Sequence, residues 1–285
     1  MRIVIAKSAG FCFGVKRAID IAFKIAKEKR QGVYTLGPII HNPQVVEKLK
    51  DQGIIPIKDF RSIKNIQALI IRTHGIPFPL SKEITSLGFE IIDATCPFVK
   101  KAQYYAKLLS KEGYQVVILG EKNHPEVKGI MSYANDVIIV NNKTPLPKLK
   151  SKVGIVVQTT QTLEALKNVL SDALIYAKEV KVYNTICNST TQRLKETENI
   201  ARKVDVMIVV GGKNSANTTQ LTRLCKSLSL PTYHIETPSE IKEEWFRGVN
   251  KLGITAGAST PEWIIKEVHK KIRDRGGRRF SGTEK

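Results

Sequence analysis

The sequence predicts an α/β protein made of three similar, small parallel-sheet domains in a pseudo-threefold (trefoil) arrangement around a common centre. Within each third of the chain, short β-branched runs alternate with longer helical patterns, which is typical of βαβ crossovers in a parallel sheet. Three kinds of segment also recur in the same order, and one of them repeats a cysteine after 84 and then 91 residues. This spacing is too long for a solenoid repeat and suits a small domain.

The elements follow from apolar residues at helical or strand spacing. The first third is predicted as helix 14–30, strand 33–37, helix 43–52, strand 54–58, strand 68–72, helix 79–87 and strand 89–94. The second third repeats this order as helix 97–112, strand 115–119, helix 126–134, strand 137–141, strand 153–157, helix 162–177 and strand 180–185. The last third repeats it through helix 261–273 and then lacks its final strand.

The N-terminal strand 2–6 has no domain of its own, so we expect it to complete the third sheet. The predicted domains are therefore residues 13–95, residues 96–186, and residues 187–274 together with 1–12. A basic tail follows at 275–285.

Composition narrows the class of protein. No apolar run is long enough to span a membrane, and the N-terminal run lacks the features of a secretory signal, so we expect no membrane partner. Four scattered cysteines without a CxxC motif favour a reducing cytoplasm and argue against the common zinc modules. The net charge of +20 is compatible with nucleic acid, an acidic protein partner, an anionic substrate or a solvated basic surface without a dedicated partner, and charge alone does not decide between them.

Chemically distinctive residues follow the predicted strands, at the edge where open parallel sheets bind ligands. These residues are Cys12, His41, His74, Cys96, His124, Glu126, Thr159, Cys187, Ser215, Asn217 and Ser259. If the three domains face inward, all of them converge on one cavity. Several helix N-termini follow them, and such termini favour an anion.

Three cysteines occupy equivalent places in the repeats: Cys12, Cys96 and Cys187. A single cysteine is usually a small buried apolar residue, and mid-helix Cys225 keeps that interpretation. Equivalent positions in three repeats instead favour a shared metal site. Three thiolates could hold one [4Fe–4S] cluster per chain and leave one iron open to substrate. Zinc with three cysteines and an outside ligand is the alternative.

The polar residues at the strand ends are mostly neutral or cationic donors, which suit a diphosphate better than a divalent cation. Glu126 is the one carboxylate among them and is a natural proton carrier if its pKa is raised. His234 and His269 are interpreted as structural or surface residues.

No dinucleotide or P-loop motif is present. A redox site of this kind must therefore take electrons from another protein. Bacterial ferredoxins and flavodoxins are generally acidic, and such a donor would complement the positive charge.

The segments GFCFGVKRAI, HNPQVVEKL, RTHGIP, DATCPFV, HPEVKGI, QTTQ, GGKNSANTTQL and TAGASTPEWII stand here in the order found in one known family. The chain resembles the 4-hydroxy-3-methylbut-2-enyl diphosphate reductases, the LytB family, over nearly its whole length. The resemblance implies a three-lobed α/β fold around a [4Fe–4S] cluster, whose unique iron acts as a Lewis acid for C–O cleavage. It implies that two electrons and two protons give isopentenyl or dimethylallyl diphosphate plus water, the last step of the methylerythritol phosphate route.

The resemblance also implies roles for single residues. Cys12, Cys96 and Cys187 would hold the cluster. The diphosphate would be held by His41, His74, His124, Ser215, Asn217 and Ser259. Glu126 would supply a proton, Thr159 would orient Glu126 and the substrate hydroxyl, and His124 would also relay a proton. Thr190 matches a pocket-lining residue, whereas Ala216 replaces a frequent serine, which should weaken substrate binding by about 1 kcal/mol.

Two other hypotheses fit the bulk composition. A basic protein with an Arg/Gly tail could bind RNA, although no RNA-binding motif is present and the tail carries only Phe280 as an aromatic. A redox or iron sensor could use the same cluster without catalysis, and substrate turnover would separate it from an enzyme.

Overall fold

The computed structural model describes residues 1–29, 31–141 and 145–277, and within them the strands form three four-stranded parallel sheets. The chain separates into two compact units. The terminal unit comprises Met1–Val15, His41–Val45 and the described residues from Thr191 onward. The central unit comprises Lys16–Ile40 and Val46–Thr190.

The first group of elements runs from β1 to β5. Strands β2 to β5 form one sheet of the central unit, whereas β1 pairs elsewhere. In chain order these elements are β1 (Arg2–Ile5), α1 (Phe13–Glu28), β2 (Val33–Leu36), α2 (Pro43–Lys50), β3 (Ile54–Ile57), β4 (Ala68–Ile71), α3 (Phe78–Thr85) and β5 (Glu90–Asp93). The sheet has the strand order β3-β2-β4-β5, and Val33 lies opposite both Ile54 and Ala68. All four residues of β4 are buried, as expected for an inner strand covered on both faces.

The second group forms the other sheet of the central unit. Its elements are α4 (Pro97–Lys111), β6 (Gln115–Leu119), α5 (Pro125–Met131), β7 (Val137–Val140), β8 (Lys152–Val157), α6 (Leu163–Tyr176) and β9 (Glu179–Tyr183). The strand order is β7-β6-β8-β9. A Cβ atom at Gly154 of β8 would lie 2.6 Å from Leu109 Cδ2, so glycine lets α4 pack closely on this sheet.

From Thr191 onward, the third group belongs to the terminal unit. Its elements are α7 (Asn188–Ala201), β10 (Val206–Val210), α8 (Ala216–Ser227), β11 (Thr232–Ile235), β12 (Lys251–Ala256) and α9 (Glu262–Gly277). Short 3₁₀ turns cover Phe60–Ser62, Pro238–Glu240 and Glu243–Phe246. Helix α9 extends to Gly277, and residues 278–285 of the expected tail lie outside the described residues.

The N-terminal strand completes the third sheet, as the sequence predicts. This sheet has the order β1-β12-β10-β11, with Arg2 opposite Lys251 and Ile5 opposite Ile254. The three sheets draw their strands from the three predicted segments of the chain. The exact domain limits at residues 13, 96 and 187 stay a prediction.

Alternate residues of the inner strands bury opposite faces of each sheet. In β10, Ile208 packs on the side of α9 with Val268, whereas Met207 packs on the other side with Leu221 of α8. Each such side chain contributes about 1.5–3 kcal/mol when fully buried. This packing holds the carboxyl ends of the strands in place. None of the described helices has the length and apolarity needed to cross a bilayer.

Candidate active site

A buried carboxyl group lies at the carboxyl ends of β6 and β8 in the central unit. Glu126 is in the first turn of α5 and only 2% exposed. Its Oε1 accepts a hydrogen bond from the Thr159 backbone N–H at 2.7 Å, and its Oε2 accepts one from the Thr159 hydroxyl at 2.8 Å. Burial raises the pKa of Glu126 to about 7, although the two hydrogen bonds from Thr159 act in the opposite direction. The group can therefore hold and release a proton near neutrality.

The start of α5 explains the placement of His124. Its side chain caps the helix, since Nδ1 accepts a hydrogen bond from the Glu126 backbone N–H at 3.2 Å. Pro125 occupies the first helical position, where its fixed φ suits the helix. Because Nδ1 is an acceptor, the neutral ring carries its proton on Nε2 and can donate it.

His74 follows β4 and lies beside His124. The two ring centroids are 5.3 Å apart and the rings are nearly perpendicular at 82°. The structure thus brings His74, His124, Glu126 and Thr159 into one group within the central unit, as the strand-end argument predicts. The His124 imidazole caps the helical turn that carries Glu126, and the His74 ring lies beside that imidazole.

Gln158 is a supporting residue that sequence reasoning did not single out. It is fully buried, and its Oε1 accepts a hydrogen bond from the Glu121 backbone N–H at 2.9 Å. A Cβ at Gly120 would lie 2.8 Å from that oxygen and 2.7 Å from Val127 Cγ2, so glycine leaves room for both side chains. Gln158 therefore fixes the loop that leads to His124. Its place in the QTTQ segment, directly before Thr159, was the available signal.

Two of the predicted metal ligands also lie at strand ends of the central unit. Cys96 is the N-cap residue of α4, and its backbone N–H donates to Thr73 O at 3.0 Å. Cys187 directly precedes α7, and its N–H donates to Thr159 O at 2.9 Å. Thr190, whose N–H donates to Cys187 O, is buried in the first turn of α7. Thr159, which holds the Glu126 carboxyl group, therefore also accepts a hydrogen bond from the backbone of Cys187.

The terminal unit contains the third predicted ligand. Cys12 directly precedes α1, and its N–H donates to Ala258 O at 3.2 Å. The Ala258 N–H in turn donates to Asn217 Oδ1 at 3.0 Å. Asn217 Nδ2 is buried and has no hydrogen-bond partner within residues 1–29, 31–141 and 145–277. An anion would satisfy this donor.

The other predicted polar residues of the terminal unit surround the same turns. Ser215 caps α8 by accepting from the Thr218 N–H at 3.4 Å. The Ser259 hydroxyl donates to His41 O at 3.3 Å. A Cβ at Gly212 would lie 2.6 Å from His41 O, so glycine allows His41 to lie against the turn after β10.

The sequence predicts structural or surface roles for Cys225, His234 and His269, and the structure shows the surroundings of each. Cys225 is fully buried in an apolar cluster with Leu221, and burial raises its thiol pKa to about 11. His234 Nε2 lies 2.9 Å from Gly211 O, and burial lowers its pKa. His269 is half-buried on α9.

Arg193 is a further residue that the sequence did not single out. It lies on α7, is 3% exposed, and donates to main-chain oxygens of Ser8, Gly10 and Ala256. In the sequence it is an arginine six residues after Cys187, and nothing there distinguishes it from an ordinary surface residue.

Thiolate sulfur is the ligand type that iron–sulfur clusters use, and each predicted cysteine ligand can be considered by itself. Cys12, Cys96 and Cys187 are partly exposed residues, and each adjoins the start of a helix, where the helix dipole favours negative groups. Cys225, in contrast, is buried.

Comparisons with known proteins agree on one family. A model of the LytB protein family matches residues 3–273. The chain is 50% identical over 278 residues to the 4-hydroxy-3-methylbut-2-enyl diphosphate reductase of Geobacter sulfurreducens, covering 96% of this chain and 98% of that one. It is 48% identical over 278 residues to the reductase of the same name from Aquifex aeolicus, covering 95% and 96%.

Solved structures give the same result. One, described as (E)-4-hydroxy-3-methyl-but-2-enyl diphosphate reductase, the terminal enzyme of the non-mevalonate pathway, matches with a TM-score of 0.71 and 46% identity. It covers 96% of this chain and 100% of its own. The E-1-hydroxy-2-methyl-but-2-enyl-4-diphosphate reductase of Plasmodium falciparum matches with a TM-score of 0.86 and 29% identity, covering 95% and 87%.

Proposed function

Because this chain belongs to the LytB protein family, we propose that it reduces 4-hydroxy-3-methylbut-2-enyl diphosphate to isopentenyl and dimethylallyl diphosphate. This is the last step of the methylerythritol phosphate route to isoprenoids. The observation that carries the mechanism is the buried Glu126, held on both oxygens by Thr159 with a pKa of about 7.

Enzymes of this family are iron–sulfur proteins. We propose one [4Fe–4S] cluster per chain with Cys12, Cys96 and Cys187 as its three ligands, supported by their equivalent positions in the repeats and their partial exposure. When bound, the cluster supplies electrons and a Lewis-acidic iron for cleavage of the C–O bond.

The proposed diphosphate ligands are hydrogen-bond donors, and neutral or cationic donors match phosphate oxygens. They are His41, His74, His124, Ser215, Asn217 and Ser259. Two observations support this proposal: the Asn217 Nδ2 is buried without a protein partner among the described residues, and His124 Nδ1 accepts a hydrogen bond from the Glu126 N–H, so the neutral ring carries its proton on Nε2. Thr190 is the proposed additional pocket residue.

The reaction consumes two electrons and two protons and releases the substrate hydroxyl as water. We assign one proton to the Glu126 carboxyl group, because a group of pKa about 7 is half protonated at neutral pH. Thr159 would orient that carboxyl group and the substrate hydroxyl. His124, at the start of the same helical turn, is the proposed proton relay.

The proposed electron donor is an acidic protein such as a ferredoxin or flavodoxin. A chain of net charge +20 attracts such a partner and speeds its association. The proposed compartment is the cytoplasm, where cysteine thiols stay reduced.

The test begins with protein purified without oxygen. We expect about four iron and four acid-labile sulfide per chain, and conversion of the allylic diphosphate to both products with a chemical reductant. Zinc in place of iron, or a chain without metal that binds RNA in a salt-dependent way, would overturn the proposal. A cluster without turnover would favour the sensor hypothesis.

A further inference from the structure

The segment Lys7–Cys12 connects β1 to α1 and carries the first proposed cluster ligand. Its backbone makes few hydrogen bonds to other backbone groups: Ala9 N donates to Ala6 O at 3.0 Å, and Cys12 N donates to Ala258 O at 3.2 Å. Gly10 has φ +106°, a conformation that glycine favours. The segment is therefore neither helix nor strand and needs other groups to hold it.

Helix α7 supplies those groups. The Arg193 guanidinium donates through Nη1 to Ser8 O, through Nη1 to Ala256 O at 2.8 Å, and through Nη2 to Gly10 O at 3.0 Å. It thus binds two carbonyl groups just before Cys12 and the last carbonyl group of β12. The planar, rigid fork of arginine suits such multiple acceptors, whereas lysine offers a single point charge.

Glu196, three residues further along α7, holds the start of the same segment. Its Oε1 accepts from the Lys7 N–H at 2.7 Å and its Oε2 accepts from the Ser8 N–H at 2.8 Å. Although burial acts to raise the pKa of Glu196, hydrogen bonds from Ser8 and Lys7 hold it below its usual range. The carboxylate therefore stays charged at neutral pH.

We propose that Arg193 and Glu196 are positioning residues that fix the Cys12 segment and so present the Cys12 thiolate to the cluster. The proposal rests on the proposed function, because it assigns the held segment to a cluster ligand. Helix α7 follows Cys187, so one helix carries a ligand at its start and the supports of a second ligand further along. Neither residue touches the substrate in this proposal.

The test compares R193Q, R193K and E196Q with R202Q. Arg202 directly follows α7 in the chain, is exposed, and pairs with Glu198 at 2.6 Å, so its loss is a matched control. The first measurement uses cluster-free protein: the rate at which iodoacetamide modifies each cysteine, resolved by peptide mass spectrometry. Cys96 and Cys187 serve as references in the same sample.

We expect modification of Cys12 to become several-fold faster in R193Q, less so in R193K and E196Q, and to stay unchanged in R202Q. The reference cysteines should keep their wild-type rates. Equal acceleration at all three cysteines would mean general loosening and would overturn the proposal, as would an unchanged Cys12. R193K retains the positive charge of Arg193, and E196Q retains the shape of Glu196. These two variants keep the test decisive if R193Q fails to fold.

The second measurement uses the cluster-loaded protein and follows iron released to a chelator. Faster release from R193Q and E196Q, with R202Q at the wild-type rate, would support the role toward the cluster. Wild-type rates of release from both variants would overturn that role. If the wild-type protein takes up no cluster while Cys12 alone responds to R193Q, the proposed function fails and the placement of the segment by Arg193 stands.

Discussion

Thr159 donates two hydrogen bonds to Glu126, one from its backbone N–H and one from its hydroxyl, so that both oxygens of the carboxyl group are held. The backbone carbonyl of Thr159 also accepts from the Cys187 N–H. Thr159 therefore holds both a proposed proton donor and the backbone of a proposed cluster ligand. A change of its side chain should affect proton transfer, because the contact to Cys187 uses only the Thr159 backbone.

Glu126→Gln should keep the cluster and substrate binding but lose most turnover, because an amide cannot donate the required proton. General acids contribute about 10²–10⁴-fold to rate, and we expect a loss in that range. The measurement is kcat with a chemical reductant, alongside iron content. Glu121→Gln, at an exposed position in the same loop, is the control and should retain activity. Unchanged turnover in Glu126→Gln would remove this residue from the mechanism.

Thr159→Val should move the pH dependence of turnover upward. The variant keeps the backbone N–H but loses the hydroxyl hydrogen bond that stabilises the Glu126 carboxylate, so the pKa of Glu126 should rise above about 7. The decline of kcat at high pH should then begin at a higher pH. Thr162→Val removes the hydroxyl that caps α6 by accepting from the Ala165 N–H, and it should cost stability without shifting the profile. A profile that does not move would show that the hydroxyl has no influence on the acid.

Stability should also depend on pH through Glu126. Its folded pKa of about 7 lies above the ordinary value of 4.5, so the folded state binds the proton more tightly. The favourable contribution is full below the unfolded pKa and is lost as pH rises through the folded pKa. Wild-type protein should therefore lose thermal stability relative to Glu126→Gln between about pH 5 and pH 8. A constant difference in Tm across this range would contradict the raised pKa.

Cys225→Ser and Cys96→Ser should differ in their effect on iron content. Cys225 is buried among apolar side chains, so a serine hydroxyl there should lower stability by about 1–3 kcal/mol and leave iron content unchanged. Cys96→Ser should lose most iron. Iron and sulfide analysis on oxygen-free protein measures both. Equal loss of iron from the two variants would mean that the ligand set is chosen wrongly.

Salt should distinguish a protein donor from a small one. Association steered by opposite charges is screened as ionic strength rises, so reduction by an acidic ferredoxin should slow more than reduction by a small chemical reductant. The comparison is the two reduction rates over a salt series. Equal sensitivity would leave the net charge of +20 without a role in electron transfer.

The sequence predicts the fold well because local pattern and topology agree. The strand pattern and the missing last strand of the third repeat together predict the pairing of β1 with β12. The predicted ends of helices are less accurate than the predicted order of elements. The apolar pattern places the end of α5 at residue 134, whereas the helix ends at Met131. A difference of three residues at a helix end changes the apolar spacing little.

The supports of the site were not predictable in the same way. Arg193 and Gln158 act through burial and through main-chain groups distant in the chain, and neither property leaves a periodic signal. The raised pKa of Glu126 likewise depends on its complete burial, which a motif cannot report. The predicted roles of the three cysteines and of the diphosphate-binding residues remain predictions.

The pairing of the first strand with the last has a consequence for biosynthesis. β1 is synthesised before β10, β11 and β12, yet it belongs to the same sheet, and its partner β12 ends at Ala256. The sheets of the central unit use strands between Val33 and Tyr183 and can form while the rest of the chain is still being made. The Cys12 N–H donates to Ala258 O, and Arg193 of α7 donates to Ser8 O and Gly10 O, so this segment reaches its final place only after α7 and the turn that follows β12 have been synthesised. A cluster held by Cys12, Cys96 and Cys187, as proposed, would therefore be completed only after β12 has been synthesised.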